Sequence, residues 1–534
     1  MTVLAALRSA LGDAYVLAAA ELLAAAERAT FPTSQRVRAI VRPADTAEVQ
    51  AVVRIAGEHG VPLYPISRGS NWGYGSRVPV TTDSIVLDLS RMDRIVEFDE
   101  TLGYIVVEPG VSFRQAFGFL RAQRSRLLLS AIGGSPDSSL IGNVVERGIG
   151  KGPHGDRFAH VCDLEVVTGD GARLRTGLGR FAGARAAPLH RWGLGPSLDG
   201  MFTQSPLGVV TRMSQWLMPR PEHFAILFYR LAAEDMLPAV IDALQALMLR
   251  GVLRPTLTLY NDYRVLSVTG PYPFARAGGR TPLPDELRAE LCRERDVGAW
   301  GGDIAIYSPS AEHGRATRTL VERALAGKVS QLEGIDADGD QIDGWFAGWP
   351  ETAAGPVEAS GPETLRRGML LNFLGIPDDD AIRSVYWRKP GPPPATLDPD
   401  RDRCGLLWCT PTAPFTGADV RAVLAIMAPC MPRYGFEPGL TIQAISERVV
   451  YVVGSISYDR DAPGDDERAL ACYHEMTATL AAAGYPPYRA SIAGMGAAGD
   501  DGLTPVDDSV RVLQALRQAL DPRGILAPGR YRVG

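Results

Sequence analysis

Residues 67–75 read SRGSNWGYG, with three glycines in nine residues and Tyr74 between the last two. The stretch directly follows VPLYPIS, a short apolar run that is typical of a β-strand. Successive backbone N–H groups in such a loop can form a nest for a phosphate, and glycines let a ligand approach the main chain closely. A tight surface turn is the other interpretation of a single glycine cluster.

A second glycine-rich cluster favours the ligand interpretation. Residues 132–142 read IGGSPDSSLIG and continue into NVVERGIGKGPHGD. Two long glycine-rich loops after strands, both in the N-terminal half, indicate a large phosphate-bearing cofactor. The glycines at 69, 73 and 75 do not have the GxGxxG spacing, and the chain carries neither a Walker A loop nor a GxSxG elbow. A classical Rossmann NAD domain is therefore not expected.

Length and composition exclude several other classes. The 534 residues suggest about two to four domains. The net charge is -6 and no basic stripe with interleaved aromatic residues is present, so we expect no nucleic-acid partner. The six cysteines are scattered without a CxxC pair, which predicts free thiols in a reducing compartment and no metal site.

The first 30 residues are rich in alanine and leucine, but charged residues interrupt them and no basic leader precedes them. This pattern predicts an amphipathic helix and not a signal peptide. No run approaches the roughly 20 apolar residues that a membrane span needs. We therefore expect a cytoplasmic protein without a membrane partner.

Helical and strand patterns alternate along the whole chain, which predicts an α+β architecture. Residues 42–67 predict a helix followed by a strand, with Asp45 as the cap and Glu48 three residues later. The apolar face of this helix consists of Val49, Val52, Val53 and Ala56. From about residue 219 the character changes, because long proline- and glycine-rich loops appear between the elements. A domain boundary is predicted near residue 218.

Several ordered motifs resemble those of one enzyme family. They are PISRGSNWGYG, IGNVVERGIG, PHGDR, DLEVVTGDGARLRTG, GPSLDGMFTQSPLGVVT, WLMP and the terminal GILAPGR. In this order, and over nearly the whole chain, they are similar to the vanillyl-alcohol oxidase and p-cresol methylhydroxylase family of FAD enzymes. The resemblance implies a two-part FAD-binding fold of the p-cresol methylhydroxylase type, with two α/β subdomains and an inserted α/β cap. The predicted parts are residues 1–218 for the FAD domain, 219–494 for the cap and 495–534 for a C-terminal return.

The resemblance also implies FAD as the cofactor and assigns its binding residues. In the family, the loop that matches residues 67–75 cradles the FAD pyrophosphate. The predicted cofactor-binding residues are Ser67, Arg68, Gly69, Ser70, Asn71, Trp72, Gly73, Gly133, Gly134, Ser135, Ser139, Gly142, Asn143, Gly148, Gly150, Gly155, Gly208, Val209, Arg489 and Arg530.

The family acts on para-substituted phenols, and the matching residues are Tyr74, Tyr488, Arg489 and Arg530. Phenolic O–H donors and guanidinium groups stabilise a phenolate by charge-assisted hydrogen bonds, well below the solution pKa of about 10. Electron donation from that oxygen weakens the para Cα–H bond. A hydride then passes to flavin N5 and a quinone methide forms, which adds water or loses a proton. Arg489 is also the candidate to stabilise the reduced flavin.

The sequence departs from the family pattern where FAD is covalently attached in many members. Leu406 stands where histidine-linked members carry the histidine, and Val385 stands at the tyrosine-linkage position, with Tyr386 one residue away. We therefore expect non-covalent FAD, with Tyr386 as the only plausible linker.

Two further departures concern the expected substrate pocket. His154 replaces a pocket tyrosine, and it is predicted either as a catalytic base or as a hydrogen-bond donor to a carbonyl group. Asp137 lies near, but not at, the position of an aspartate that some members place beside flavin N5. A turn-forming role after Pro136 is its alternative.

The sequence thus predicts an FAD-dependent oxidase or dehydrogenase of a para-substituted phenol or benzylic alcohol, in specialised metabolism. Two alternatives stay open: an FAD enzyme that oxidises a non-phenolic alcohol or amine, and a flavin-binding protein without turnover. The expected partners are a small aromatic substrate and further copies of this chain, as a homodimer or a larger assembly.

Overall fold

The N-terminal part of the chain builds the sheets from which the glycine loops emerge. The computed structural model describes residues 1–255, 257–347, 362–495 and 507–533, with the backbone alone for 347, 362–365 and 367. The strands of this part are β1 (Val16–Leu17), β2 (Val37–Val41), β3 (Leu63–Ile66), β4 (Ser84–Asp88), β5 (Ile95–Asp99), β6 (Tyr104–Val107), β7 (Leu127–Leu128), β8 (Val161–Val167), β9 (Arg173–Arg175), β10 (Val209–Trp216) and β11 (Met218–Pro219). Its helices are α1 (Val3–Leu11), α2 (Ala20–Ala26), α3 (Thr46–His59), α4 (Phe113–Ala122) and α5 (Leu140–Val145).

These strands form separate sheets. One has the order β1-β2-β4-β3, in which β2, β4 and β3 are parallel and β1 is antiparallel. A second, antiparallel sheet has the order β5-β6-β10-β8-β9. β7 pairs with β11 in a short ribbon.

Helix α3 forms as its sequence pattern predicts. The Asp45 side chain accepts the Glu48 N–H at 2.9 Å, and the helix ends at Gly60 in the left-handed conformation. The predicted apolar face, Val49, Val52, Val53 and Ala56, is fully buried. This burial holds α3 against the parallel sheet, because removal of apolar side chains from water is the main stabilising term. The chain then returns through β3 directly into residue 67.

The middle of the chain forms the cap around one large antiparallel sheet. Its strands are β12 (His223–Leu231), β13 (Leu257–Asn261), β14 (Trp300–Ser308), β15 (Gln331–Asp338), β16 (Cys404–Cys409), β17 (Thr412–Pro414), β18 (Gly439–Ala444) and β19 (Val449–Asp459). Their order is β15-β12-β14-β13-β18-β19-β16, and β17 also pairs with β19. The helices of this part are α6 (Leu237–Leu249), α7 (Asp262–Thr269), α8 (Phe274–Ala277), α9 (Asp285–Glu294), α10 (Ala311–Leu325), α11 (Gly339–Ala347), α12 (Pro362–Phe373), α13 (Gly417–Arg433) and α14 (Asp465–Ala482).

The C-terminal segment comes back to the parallel sheet. After α15 (Ile492–Met495) and α16 (Ser509–Leu520), the chain runs beside β3. The Leu63 N–H donates to the Ile525 carbonyl at 2.8 Å, and the Ala527 N–H donates to the Leu63 carbonyl at 2.7 Å. The last residues therefore lie next to the strand that opens the first glycine loop.

The α+β class that the sequence predicts is confirmed. One local prediction is wrong: residues 1–30 are not one helix. Gly12 ends α1 with φ +92°, and Val16 and Leu17 then pair with Val41 and Ile40 of β2, which ties this segment into the sheet. The sequence pattern did not show this pairing because it depends on a partner strand more than 20 residues away.

The described residues contain neither a membrane-spanning helix nor a cluster of metal ligands. Within the ranges given above, no helix has the length and apolar character to span a membrane. The same residues contain no group of histidine, cysteine and acidic side chains that could hold a metal ion. All six cysteines are free, and five of them are buried.

Candidate functional site

The first glycine loop, residues 67–75, is fixed between the parallel sheet and the cap. The Gly73 N–H donates to the Thr30 hydroxyl at 2.9 Å, and that hydroxyl donates to the carbonyl of Leu406 in β16 at 2.8 Å. The indole N–H of Trp408 donates to the Trp72 carbonyl at 3.1 Å. A Cβ atom on Gly73 would lie 2.2 Å from the Trp408 ring, and its φ is +79°. Only glycine fits there, because the cap packs directly on the backbone of the loop.

A cavity with an empty volume of about 1310 Å³, partly open to solvent, extends along this loop. Fourteen of the twenty cofactor residues predicted from the sequence line it: Ser67, Arg68, Gly69, Ser70, Asn71, Trp72, Gly134, Ser139, Gly142, Asn143, Gly208, Val209, Arg489 and Arg530. The six others, Gly73, Gly133, Ser135, Gly148, Gly150 and Gly155, do not belong to its lining. The cavity thus follows the first glycine loop closely and the second segment only in part.

The second glycine segment, residues 132–155, is organised around a buried arginine. Arg157 is 1% exposed. Its guanidinium donates to the carbonyls of Ser130, Ala131 and Ile149 at 2.9, 2.6 and 2.7 Å, and to the Asn143 side chain. A Cβ atom on Gly150 would lie 2.7 Å from this guanidinium. Gly150 therefore makes room for an internal side chain.

Tyr74, Tyr488 and Arg489 come together at one end of the cavity. Tyr74 lines the cavity and lies beside Tyr488 and Thr410. The Arg489 guanidinium lies 4.1 Å from the centre of the Tyr74 ring, and it also donates to the Asn71 side chain. Tyr488 does not itself belong to the cavity lining. Two phenols and a guanidinium thus meet at the end of the first glycine loop.

Arg530 reaches the same wall from the C-terminal segment through a residue that the sequence analysis missed. Glu146 is 5% exposed and lines the cavity. Its carboxylate forms ion pairs with Arg489, at 3.2 Å, and with Arg530, and it accepts the Tyr531 hydroxyl at 2.8 Å. Glu146 therefore fixes both arginines. Its position in the glycine-rich motif IGNVVERG was the one available signal, since an acid is unusual in a phosphate-binding loop.

Burial determines the protonation of Tyr74. Burial raises the pKa of Tyr74 well above its usual value. Tyr488 raises this pKa further, while Arg489 lowers it. Tyr74 is therefore a neutral hydrogen-bond donor at neutral pH. Tyr451 of β19, also missed in the sequence, stacks on Tyr488 with ring centres 4.0 Å apart and planes 5° apart. This stacking fixes the plane of the Tyr488 ring.

The structure does not bring His154 to the cavity. Its ring stacks on His160, with centres 3.9 Å apart, and its Nδ1 lies 3.3 Å from the Trp216 carbonyl. Burial, together with the neighbouring His160, lowers the pKa of His154 to about 3. This contact with a carbonyl corresponds to the second of the two roles predicted for His154.

The positions related to covalent attachment also lie apart from the cavity. Tyr386 is 5% exposed, and its hydroxyl donates to Asp402 at 2.7 Å. Leu406 is buried in β16 and packs with Tyr386 in one apolar cluster. Neither residue lines the cavity. Asp137 forms an ion pair with Arg114 at 2.9 Å, on a partly exposed surface, which is the environment of a turn residue.

The cavity fits FAD in two respects. At one side, the backbone of both glycine-rich segments reaches the cavity, since Gly69 and Gly142 belong to its lining. At the other side, the Arg530 Nε is buried without a hydrogen-bond partner in the described part of the chain. A glycine cradle suits a pyrophosphate, and a buried donor suits the polar edge of a flavin ring.

Comparisons with known proteins agree with this site. Residues 37–177 match the model of an FAD binding domain. The chain is 46% identical to the 1'-carboxy-chondrochloren decarboxylase of Chondromyces crocatus, over 99% of this chain and 96% of that protein. It is 27% identical to the flavoprotein subunit of the hydroxylating 4-cresol dehydrogenase of Pseudomonas putida, over 98% and 94%. The solved structure of 4-ethylphenol oxidase from Gulosibacter chungangensis superimposes with a TM-score of 0.87, at 25% identity, over 99% of this chain and 96% of that one.

These similarities extend over the whole chain, and the matched domain contains both glycine-rich segments and the wall formed by Glu146. The resemblance and the FAD fold predicted from the sequence are therefore confirmed, and FAD is the cofactor. The chain belongs to the vanillyl-alcohol oxidase and p-cresol methylhydroxylase family of FAD-dependent oxidoreductases.

Proposed function

We propose that the protein oxidises a para-substituted phenol by transfer of a hydride from the benzylic carbon to the flavin. The observation that supports this most directly is the meeting of Tyr74, Tyr488, Arg489 and Arg530 at one end of the FAD cavity. Relatives support it as well, since 4-cresol and 4-ethylphenol appear in the names of two of them.

In this proposal, the tyrosines and arginines bind the substrate oxygen as a phenolate. Tyr74 is held neutral, so that it donates a hydrogen bond, while the guanidinium groups supply positive charge. Glu146 offsets one of the two positive charges, which leaves a net charge of about +1 opposite a single phenolate. The FAD accepts the hydride when it is bound. The substrate becomes a neutral quinone methide, because the electron pair of the oxygen replaces the pair that leaves with the hydride.

A second candidate is oxidative decarboxylation of a phenol whose para side chain carries a carboxylate. The 46% identity to a decarboxylase favours it. The hydride transfer is the same, but the quinone methide then loses CO2 from the carbon next to the benzylic position. The electron pair of the broken C–C bond forms the new C=C bond, and the phenolate is regenerated. Atoms and charge balance without a further oxidant.

The test is an anaerobic titration of the FAD-loaded protein with 4-hydroxybenzyl alcohol, followed by the flavin absorbance. We expect bleaching in the wild type and about 10²-fold slower bleaching in Tyr488→Phe, the cost of removing one oxyanion donor. Tyr451→Phe is the matched control, since it removes the hydroxyl of the stacked neighbour, and its rate should stay within about threefold.

Other outcomes would overturn the proposal. If FAD is bound but no phenol bleaches or shifts its spectrum, the phenolate site is wrong. Equal reduction by 4-methoxybenzyl alcohol, which cannot ionise, would favour a non-phenolic alcohol as the substrate. Release of CO2 from a 4-hydroxyphenyl carboxylic acid would select the second candidate.

A further inference from the structure

A second cavity adjoins the FAD cavity on the side of the cap. It has an empty volume of about 630 Å³, and Gly133, Lys151, Tyr260 and Arg264 contribute to its wall. Gly133 belongs to the second glycine segment, and its neighbours in sequence, Ile132 and Gly134, line the FAD cavity. The two cavities therefore adjoin each other at Gly133, where a Cβ atom would meet nothing within 4 Å. We call the second one the cap cavity.

Two cations line the cap cavity without a direct counter-ion. Lys151 extends from the second glycine segment into the cap, where its ammonium donates to Thr258 at 3.2 Å and to the Tyr260 hydroxyl at 3.1 Å. Arg264 of α7 donates to the Ser384 hydroxyl at 2.6 Å. Within the described ranges, no carboxylate oxygen lies within 4.0 Å of either side chain. These hydrogen bonds of both cations thus go to hydroxyl groups, and the Lys151 ammonium also lies 4.9 Å from the centre of the Phe373 ring.

Both groups keep their charge at neutral pH. Burial opposes the charge of Lys151, but Tyr260 and Asp303 outweigh it and hold the pKa of the ammonium above its usual value. Asp303 acts at a distance, since it lies outside ion-pair range. Burial lowers the pKa of Arg264, but an arginine remains charged in proteins at pH 7. The cap cavity therefore carries two positive charges.

The acids on the same wall do not cancel these charges. Asp378 accepts the Asn372 amide at 2.6 Å, and burial together with Asp380 raises its pKa to about 8, so that it is mainly protonated at pH 7. Asp380 has its own partner, since Arg383 lies 3.8 Å away. The rest of the wall carries the apolar side chains of Val265, Val268, Met369 and Ala381, beside Asn372 and two glycines. An apolar wall beside two cations without an ion pair suits a short carbon chain that ends in an anion.

We infer that Lys151 and Arg264 bind a carboxylate on the para side chain of the substrate. This inference rests on the proposed function, because it places the phenol in the FAD cavity and the side chain in the cap cavity. The carboxylate takes the donor capacity that the hydroxyl partners leave unused: the third ammonium N–H of Lys151 and the remaining guanidinium N–H groups of Arg264. The pair selects phenols with an acidic side chain over neutral ones.

The experiment uses a matched pair of ligands that lack a benzylic hydrogen on an sp³ carbon. The FAD-loaded protein is titrated with 4-hydroxycinnamate and with its methyl ester, and Kd is measured from the change in flavin absorbance. We expect the wild type to bind the acid at least about 10-fold more tightly than the ester. Lys151→Met and Arg264→Met should each raise the Kd of the acid about 10- to 100-fold and change the Kd of the ester less than about threefold.

Arg366→Met is the matched control, since Arg366 is a cap cation outside this cavity that pairs with Glu333 at 2.8 Å. It should change neither Kd. The affinity of the ester and the FAD content show whether a variant still folds. If acid and ester lost affinity equally, the inference would be overturned. Lys151 would then only hold the second glycine segment against the cap.

The failure of this inference is distinguishable from that of the proposed function. If 4-hydroxybenzyl alcohol bleaches the flavin but the wild type does not prefer the acid, only the carboxylate site is wrong. If neither ligand shifts the flavin spectrum and the alcohol does not bleach it, both proposals fail.

Discussion

The two glycine-rich segments look alike in the sequence, but their glycines make close contacts with different groups. In the first glycine loop, six of the seven predicted cofactor residues line the FAD cavity, and the cap packs against the loop from behind. In the second segment, Gly148 and Gly150 make room for Asn143 and Arg157, which belong to the same part of the chain. The comparison shows that a glycine in the sequence indicates a close contact to the backbone. It does not indicate whether a ligand or a protein side chain makes that contact.

The largest expected effect is that of Arg157→Met, which removes the centre of the second segment. Three carbonyls and the Asn143 side chain lose their donor in a buried site. We expect the free energy of unfolding to fall by about 4–5 kcal/mol, with loss of bound FAD. Chemical denaturation and the flavin absorbance measure both. Arg147→Met, at an exposed position in the same segment, is the control and should change stability by less than about 1 kcal/mol.

Gly73→Ala tests the contact between the first loop and the cap. The new methyl group would overlap the Trp408 ring, and φ is +79°, so we expect a loss of about 3 kcal/mol in the free energy of unfolding. Gly60→Ala is the matched control, because it has φ +63° with no atom within 4 Å. It should cost about 1 kcal/mol. Equal losses in both variants would mean that backbone strain, and not Trp408, requires the glycine.

Gly142→Ala separates the two functions of glycine within the second segment. Its Cβ would lie 3.1 Å from Ser67 Oγ, in the lining of the FAD cavity. We expect a modest loss of stability, about 1–2 kcal/mol, but about tenfold weaker FAD binding in a titration of the apoprotein. Gly118→Ala, in α4 with no atom within 4 Å, should leave FAD affinity unchanged. Unchanged affinity in Gly142→Ala would remove this glycine from the cofactor site.

The smallest effect is expected at His154, which lies apart from the cavity. Its folded-state pKa of about 3 lies below the usual value of 6.5. The unfolded chain therefore binds the proton more readily, and folded stability falls as the pH drops below about 6.5. From pH 7 to pH 5, the free energy of unfolding of His154→Phe should fall by about 1 kcal/mol less than that of the wild type. This value is reduced because the ring is partly exposed to solvent. The surface variant His190→Gln should follow the wild type in the same denaturation series.

Local sequence patterns correctly predicted the features that depend on residues close together in the sequence. Helix α3 forms because a cap, an apolar face and a terminal glycine agree within 16 residues. The first glycine loop was also predictable, since its strand and its glycines are adjacent. Tyr488 and Arg489 became candidates only through the resemblance, because an isolated tyrosine or arginine has no pattern of its own.

Residues that act over long sequence separations were missed. Glu146 meets Tyr531, which lies 385 positions later, and the Trp408 indole meets a carbonyl 336 positions earlier. No periodicity or spacing rule connects such positions. The same limit applies to Gly148 and Gly150, which the resemblance assigns to the cofactor. Their close neighbours are the side chains of Asn143, Ser130 and Arg157, whose positions the sequence pattern does not describe.

The return of the C-terminal segment to β3 has a consequence for biosynthesis. Leu63 leaves the ribosome before the whole cap is made, yet its backbone partners, Ile525 and Ala527, follow the cap in the sequence. The wall of the FAD cavity also needs Arg530. A nascent chain thus exposes the edge of β3 and an incomplete cavity until the segment from Ile525 to Arg530 has been synthesised. Removal of residues 525–534 should leave most of the fold intact, but the protein should no longer retain the flavin.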